Sequence, residues 1–504
     1  MKSSLTIIVS LFIALTATCH AQGVRHSKVG DRLVLKNALT LELITKHQNF
    51  NWNDRATIDG DISSPKSVKF RPDGKKYYVN SLEGGRTVVY DANTNKKIKV
   101  IKHIFNGNET ELWAKPSGLY PFRKYLKNQN TFMGKPVEST FTHGGRYLWV
   151  PYYRRSYDIN AQDPSAVAII DTEKDTIVRM METGPLPKMI TMSPDGHTVA
   201  ITHWGDNTIG LVDISSNNPQ QWRHIDCVTI EHKLKMDFST THSINRDAVS
   251  GFKLRGTVFM PDSKHVLVAC MCGTGIAVVD IARRKYMGML YGSINNVRHL
   301  LIKNNYLYLS CNMPGKVQRI PIDSINKAIG NMERCKTVKG WETCNVFTGT
   351  RTISMSPSGR YLFAACSYSS QLAVVDTKNM KTIGQTVIDS YPVGLDISPD
   401  GHILITTSQG SGGTGGNAVN VFKVTYQDEE QERKGYKATL PTAETEDSLQ
   451  QNSCNTNKTK NVKSDTDNSI KWWLAGIFAI VMILLLLHFA VNMYNMKKNN
   501  YEKE

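Results

Sequence analysis

Four stretches of the chain repeat a single register. Each opens with an apolar-alternating strand and a tight turn: Phe70-Arg71-Pro72-Asp73-Gly74, Met192-Ser193-Pro194-Asp195-Gly196, Phe259-Met260-Pro261-Asp262 and Met355-Ser356-Pro357-Ser358-Gly359. Each closes on an apolar strand that ends in aspartate, at Asp91, Asp213, Asp280 and Asp376. The step from turn residue to closing aspartate is 18 in all four (73 to 91, 195 to 213, 262 to 280, 358 to 376). Proline presets φ, and glycine supplies the positive φ that a tight hairpin needs. A strand–turn–strand unit recurring at a constant step is the signature of a repeat architecture, and it limits the possible folds more than any other feature.

Three looser copies complete the set. Thr142-His143-Gly144-Gly145 leads to Asp171, Leu300-Leu301-Ile302 leads to Val317-Gln318-Arg319-Ile320, and Ile397-Ser398-Pro399-Asp400-Gly401 leads to Val419-Asn420-Val421-Phe422. Each copy holds three readable strands, and a fourth follows, as in Thr176-Ile177-Val178-Arg179-Met180. Four-stranded units of this period are propeller blades. A lone blade buries only part of its apolar surface, so the ring must close. The alternating run Leu39 to Thr45 precedes the first unit and is placed to complete the last blade.

The units resemble the YVTN-type, YncE-like β-propeller repeat. The naming run appears as Tyr78-Val79-Asn80-Ser81 and, more loosely, as Ala200-Ile201-Thr202-His203. The resemblance covers about Leu39 to Val424 and implies an all-β, seven-bladed propeller. It leaves function open, because surface antigens, binding proteins, lactonases and parts of redox enzymes share the architecture.

The flanks read differently. Leu5 to Thr18 is a short apolar run behind Lys2, followed by Cys19-His20-Ala21, which suits a secretory signal over residues 1–21 cut after Ala21. Trp472 to Tyr494 is apolar almost throughout, with aromatics at its ends, and is long enough to cross a hydrocarbon core of about 30 Å. The expected order is therefore signal peptide 1–21, propeller 22–426, disordered polar stalk 427–469, transmembrane helix 470–496 and cytoplasmic tail 497–504. That order makes a single-pass membrane protein, anchored through 472–494, with its propeller on the periplasmic or extracellular side.

Composition narrows partners and chemistry. There are 61 Lys and Arg against 44 Asp and Glu, a formal charge of +17. On an exported chain this points to anionic ligands or surfaces rather than nucleic acid. Of nine cysteines, none shows metal-ligand spacing, so no metal or cofactor is expected. Cys335 and Cys344 flank a polar loop and are a possible disulfide pair in an oxidising compartment. No G-x-S-x-G, H-E-x-x-H, phosphate loop or haem motif occurs.

Aligning the copies on the turn exposes one position of interest. Six residues before the turn proline stand Lys66, Lys188, Arg255 and Arg351, and, allowing for a shorter turn, Arg298; Val137 and Val393 fill it in the other two copies. Pseudo-symmetry gives equivalent residues a similar height and radius, so five cations form a basic collar at one mouth of the channel. Such a collar attracts carboxylate or phosphate groups. Ten residues before the closing aspartate fall Ser81, His203, Cys270, Cys311 and Cys366, with Tyr152 and Thr407 in the corresponding place; this reads as a packing position near the end of the second strand. Aromatic and basic residues also gather at loop tips, notably Tyr152-Tyr153-Arg154-Arg155 and His203-Trp204.

The sequence thus favours a non-catalytic binding propeller displayed outside a membrane, its basic mouth taking an anionic small molecule or an acidic protein or glycan surface. A lactonase-like hydrolase and a structural envelope or surface protein are the alternatives.

Overall fold

The repeated units form separate antiparallel sheets. The structure, a computed structural model, describes residues 26–439 apart from 50–56, 107–108, 122–130, 157, 236–243, 274 and 411–415. Its strands make seven sheets. Blade 1 runs outward from the axis through Pro65–Phe70, Lys76–Ser81, Arg86–Asp91 and Lys97–Lys102. Blades 3 to 6 repeat the plan, with inner strands Pro187–Met192, Leu254–Phe259, Val297–Lys303 and Thr350–Met355. In blade 2 the inner strand is split into Thr131–Pro136 and Thr140–Thr142, both paired with Tyr147–Arg155.

Blade 7 is closed from the other end of the chain. Its inner strands are Pro392–Ile397, Ile403–Ser408 and Ala418–Tyr426; the next is Leu39–Gln48, antiparallel to Ala418–Tyr426. Leu39, Leu41 and Leu43 are at most 1% exposed and pack with Phe363, Leu395 and Phe422. Each leucine contributes about 1.5–3 kcal/mol of burial, which clasps the ring shut.

Packing between blades is apolar. Val68, Tyr77 and Val88 of blade 1 meet Ile405, Val419 and Val421 of blade 7, and Trp149 and Ile169 of blade 2 meet Ile190, Val212 and Trp222 of blade 3. Inner strands come closest near the axis. A Cβ on Gly256 would lie 2.7 Å from the Arg298 carbonyl oxygen, so only glycine lets blade 4 sit this close to blade 5.

Several expectations need correction. The polar segment after Val424 is not a stalk from Gln427, because Glu429–Thr439 is an α-helix docked on the propeller. Glu432 is 1% exposed and accepts hydrogen bonds from Ser358 N (2.9 Å), Ser358 Oγ (2.6 Å) and Ser356 Oγ (3.1 Å). In blades 3 and 7 the turn's own aspartate accepts a bond from the serine two residues earlier. Blade 6 carries Ser358 at that place, and the helix supplies the missing carboxylate. Glu430 pairs with Arg433 and Lys434, supporting the helix at i,i+3 and i,i+4. The polar composition that suggested disorder is also that of a good helix former.

Cys335 and Cys344 are free thiols rather than a disulfide. Cys335 begins a strand that pairs with blade 4, whereas Cys344 lies in the outer strand of blade 5. The loop between them crosses from one blade to the next and carries its ends to different sheets. The second-strand packing position is buried in every blade, but its member in blade 7 is Ser408 rather than Thr407, since Ser408 opposes Pro392 as Ser81 opposes Pro65.

The segments read as signal peptide and membrane span lie outside the described residues. Among the described residues, no helix is long and apolar enough to cross a membrane.

Candidate anion-binding cavity

Six inner strands share a defect at the same place. The ladder to the second strand shifts register between Pro65 and Ser67, Pro187 and Met189, Leu254 and Thr257, Val297 and His299, Thr350 and Ile353, and Pro392 and Gly394. The residues left out of the ladder are Lys66, Lys188, Arg255 with Gly256, Arg298, Arg351 with Thr352, and Val393. A β-bulge turns the extra side chain away from the regular pleat. The collar position is therefore a bulge position, and the bulge aims its side chain. In blade 2, Val137 follows the first half of the split strand and donates its N–H to the Pro151 carbonyl at 3.1 Å.

Lys66, Lys188, Arg255, Arg298 and Arg351 all line one cavity of about 430 Å³, together with Val137, Tyr153, Arg154, Trp204, Asp247 and Tyr391. Lys188, Arg255 and Arg351 are each 7% exposed. Lys66 and Arg298 are half-buried. Tyr153 and Arg154, read from the sequence as part of a loop tip, lie instead in the strand Tyr147–Arg155, while Trp204 directly follows the strand Thr198–His203.

Compensation around the ring is uneven. Lys188 Nζ lies 3.2 Å from Asp247 and 3.8 Å from the centre of the Tyr153 ring, with Trp204 at 4.8 Å. Tyr153 donates its hydroxyl to Asp247. Arg255 Nη2 stands 3.4 Å from Glu138. On the other side, Arg351 lies over Tyr391 at 5.5 Å and donates to its hydroxyl at 3.3 Å. Arg351 Nε is buried without a hydrogen-bond partner. Arg298 donates only weakly, to the Met271 sulfur at 3.6 Å. Among the described residues, no carboxylate lies within 4.0 Å of Lys66, Arg298 or Arg351.

The crowding shifts proton affinities. Burial, then Arg351 and Arg255, hold Lys66 well below the usual lysine range, with Glu138 opposing. Burial pushes Lys188 down to about 7; Asp247 works against this, while Arg255 and Arg298 add to it. Burial lowers Arg255 to about 10 despite Glu138. Burial, Arg351 and Arg255 together bring Arg298 well below the normal guanidinium range. Shifts of this kind at one cavity mark a functional-site candidate.

Sequence reasoning missed Glu138, Asp247 and Tyr391. Glu138 directly follows the collar-position valine of blade 2, a clue the alignment carried. Asp247 sits in the insertion between blades 3 and 4, which has no repeat register. His299, beside Arg298, accepts from the Ile353 N–H at 3.4 Å and is a structural link between blades 5 and 6. Among the described residues, no group of three or more His, Cys, Asp or Glu side chains is arranged to hold a metal ion.

Fold and site together define a seven-bladed β-propeller with a basic cavity at the inner ends of its blades. The chain belongs to the lactonase, seven-bladed β-propeller family, whose model matches residues 135–441. It is similar to hydrazine synthase subunit beta of Kuenenia stuttgartiensis, with 23% identity over 214 residues, 42% of this chain and 42% of that protein. It is also similar to antigen Lp49 of Leptospira interrogans, with 24% identity over 173 residues, 29% of this chain and 38% of that protein. The chain thus spans about two fifths of the length of these curated relatives. Among solved structures, Kuenenia stuttgartiensis hydrazine synthase superposes with a TM-score of 0.49 at 14% identity, over 74% of this chain and 99% of that one. The β-propeller domain of Myceliophteria thermophila Cps50 (Swd1) gives 0.48 at 12% identity, over 72% and 98%.

Proposed function

We propose that the chain is a non-catalytic binding propeller whose axial cavity takes a small ligand bearing two or more acidic groups. The observation that carries this reading is the shared bulge position: five basic residues from five blades line one cavity, and among the described residues only Asp247 and Glu138 pair with any of them. At an effective dielectric constant of 20, two like charges about 8 Å apart repel by roughly 2 kcal/mol. A ring with more cations than carboxylates is therefore held at a cost that a polyanion relieves. The Arg side chains suit bidentate contact with carboxylate or phosphate. An acidic loop of a protein or glycan partner is recognised by the same chemistry. In this reading the propeller is displayed on the outer side of a membrane, exported by residues 1–21 and held by residues 472–494.

The test is a calorimetric titration of the full chain in detergent with citrate, inorganic phosphate and a neutral polyol of similar size. Binding of the anions, weakened at least tenfold by Arg351→Ala and by Arg298→Ala, is the expected result. Equal response to the neutral polyol, or indifference to both substitutions, overturns it.

The family match favours a second reading, hydrolysis of a lactone, whose ring-opened product is itself a carboxylate that this cavity would hold. Base consumption at constant pH with sugar lactones separates the two: turnover above the spontaneous rate that Arg351→Ala removes makes the protein a hydrolase.

A further inference from the structure

Among the described residues, Lys66 is the one amine of the collar with no carboxylate within 4.0 Å. Lys188 holds Asp247 and the faces of Tyr153 and Trp204, and Arg255 holds Glu138. Lys66 is half-buried, lines the same cavity, and makes no ion pair with any described residue. The charged groups that act on it are Arg351, Arg255 and Arg298, which repel a proton, and Glu138, which attracts one. Lys188, Asp247, Glu83, Arg154, Tyr153 and Tyr391 complete the titratable lining, and Glu83 is paired with Lys135. A lysine forced among other cations in a partly dry site sheds its proton and becomes a nucleophile.

We propose that Lys66 is a covalent capture site for the carbonyl group of an anionic oxo acid, with Arg298 and Arg351 holding the acid's carboxylate. This rests on the anion-binding reading of the cavity and adds the class of ligand, a 2-oxo carboxylate or a close relative. Binding and bond formation reinforce one another, because the carboxylate that neutralises the guanidinium groups carries the carbonyl carbon towards the amine.

The step is a condensation. The Nζ lone pair adds to the carbonyl carbon, and the carbonyl π electrons move to oxygen, giving a carbinolamine. The carbon–oxygen bond then breaks, oxygen leaves as water with the two protons that began on nitrogen, and a carbon–nitrogen double bond remains. Nothing is oxidised or reduced, and no further reactant is consumed. The cavity, at about 430 Å³, has room for an acid of three to five carbons and the departing water.

The experiment is reductive trapping on the full chain in detergent at neutral pH. Pyruvate and 2-oxoglutarate are the carbonyl probes, lactate and succinate the controls, and sodium cyanoborohydride the reductant, with peptide mapping by mass spectrometry. An exposed lysine of ordinary proton affinity is neutral in only about one molecule in a few thousand at pH 7. The expected result is a reduced adduct on the Lys66 peptide, formed about tenfold or more faster than on the peptides of exposed Lys75 and Lys99, and slowed by added succinate. Lys66→Arg, shown by its melting curve to be folded, loses that adduct, while Lys99→Arg, on the exposed outer strand of blade 1, keeps it. Labelling spread evenly over exposed lysines overturns the proposal. So does binding of pyruvate or 2-oxoglutarate, seen by calorimetry, without an adduct at Lys66; that outcome leaves the anion cavity standing. Absence of binding by all four acids removes the cavity reading and this one with it.

Discussion

Arg255 of blade 4 is tied to Glu138, the residue that follows the collar position of blade 2, with Nη2 3.4 Å from Oε1. The pair joins two blades that are not neighbours in the ring. With Lys188 and Asp247 it puts the collar's two ion pairs on one side; among the described residues no carboxylate lies within 4.0 Å of Lys66, Arg298 or Arg351, and Glu83, which also lines the cavity, is paired with Lys135. The polarity of the cavity therefore has a direction, and a ligand's acidic groups belong against blades 1, 5 and 6.

Glu138→Gln tests this asymmetry. It removes a carboxylate that competes with the ligand and frees Arg255. Affinity for citrate is expected to rise about threefold to tenfold, one nearby charge in a partly dry site being worth on the order of 1 kcal/mol. Stability is expected to fall by about 1–3 kcal/mol, less than for a fully buried pair because Glu138 retains some solvent contact. Calorimetry and urea unfolding read the two effects, and affinity that falls instead would make Glu138 part of the ligand's own contacts.

The protonation of Lys188 sets a pH dependence. Its folded value is about 7, below the unfolded value near 10.4. Between these two values the unfolded chain holds the extra proton, so this group's contribution to stability rises with pH across that window. At and below pH 7 the cost of keeping the ammonium buried is present in full. Anion binding runs the other way: affinity is expected to fall as pH rises through about 7, where Lys188 loses its charge. Titrations from pH 6 to 8 on the wild type and on Lys188→Met check this step, which the variant lacks.

The blade count was legible because each Pro-Asp-Gly hairpin is a local event that needs particular residues at particular spacings, whatever surrounds it. The collar was legible for the same reason, since the bulge holds one residue of each inner strand at a fixed distance from that turn. The compensating groups were not. Glu138 sits beside a split strand, and Asp247 in an insertion, where no repeat register carries over from blade to blade. The helix Glu429–Thr439 was hidden because its fold-defining contact, Glu432 to Ser358, links residues 74 apart and repairs a turn that lacks its own aspartate. Ser408 was displaced by one place in the alignment because the Gly-rich insertion that follows it obscures the count.

That repair gives another expectation. Glu432→Ala leaves Ser356 and Ser358 without their shared acceptor, and costs about 1–3 kcal/mol of docking energy. Gly435→Ala acts at the same contact by a different route, since its Cβ would lie 2.4 Å from the Ser358 Cα and the helix must lift away. Both substitutions are expected to open the segment 429–439 to limited proteolysis while the blade core remains resistant. Unchanged cleavage in both would show that the helix is held by something other than this turn.

Val393 offers the sharpest test of the bulge itself. It occupies the collar position of blade 7, between Arg351 of blade 6 and Lys66 of blade 1, and is 2% exposed. Val393→Arg adds a sixth cation on the side that already lacks carboxylates. Overpacking and added repulsion are expected to cost about 1–3 kcal/mol of stability in the ligand-free protein. Citrate affinity is expected to increase about tenfold, roughly the effect of one added charge in a partly dry site. Val387→Arg on the outer strand of blade 6, where the side chain is 40% exposed, adds the same charge far from the axis and serves as the control. If the two variants change affinity equally, overall charge rather than the bulged position governs binding, and the collar loses its special place.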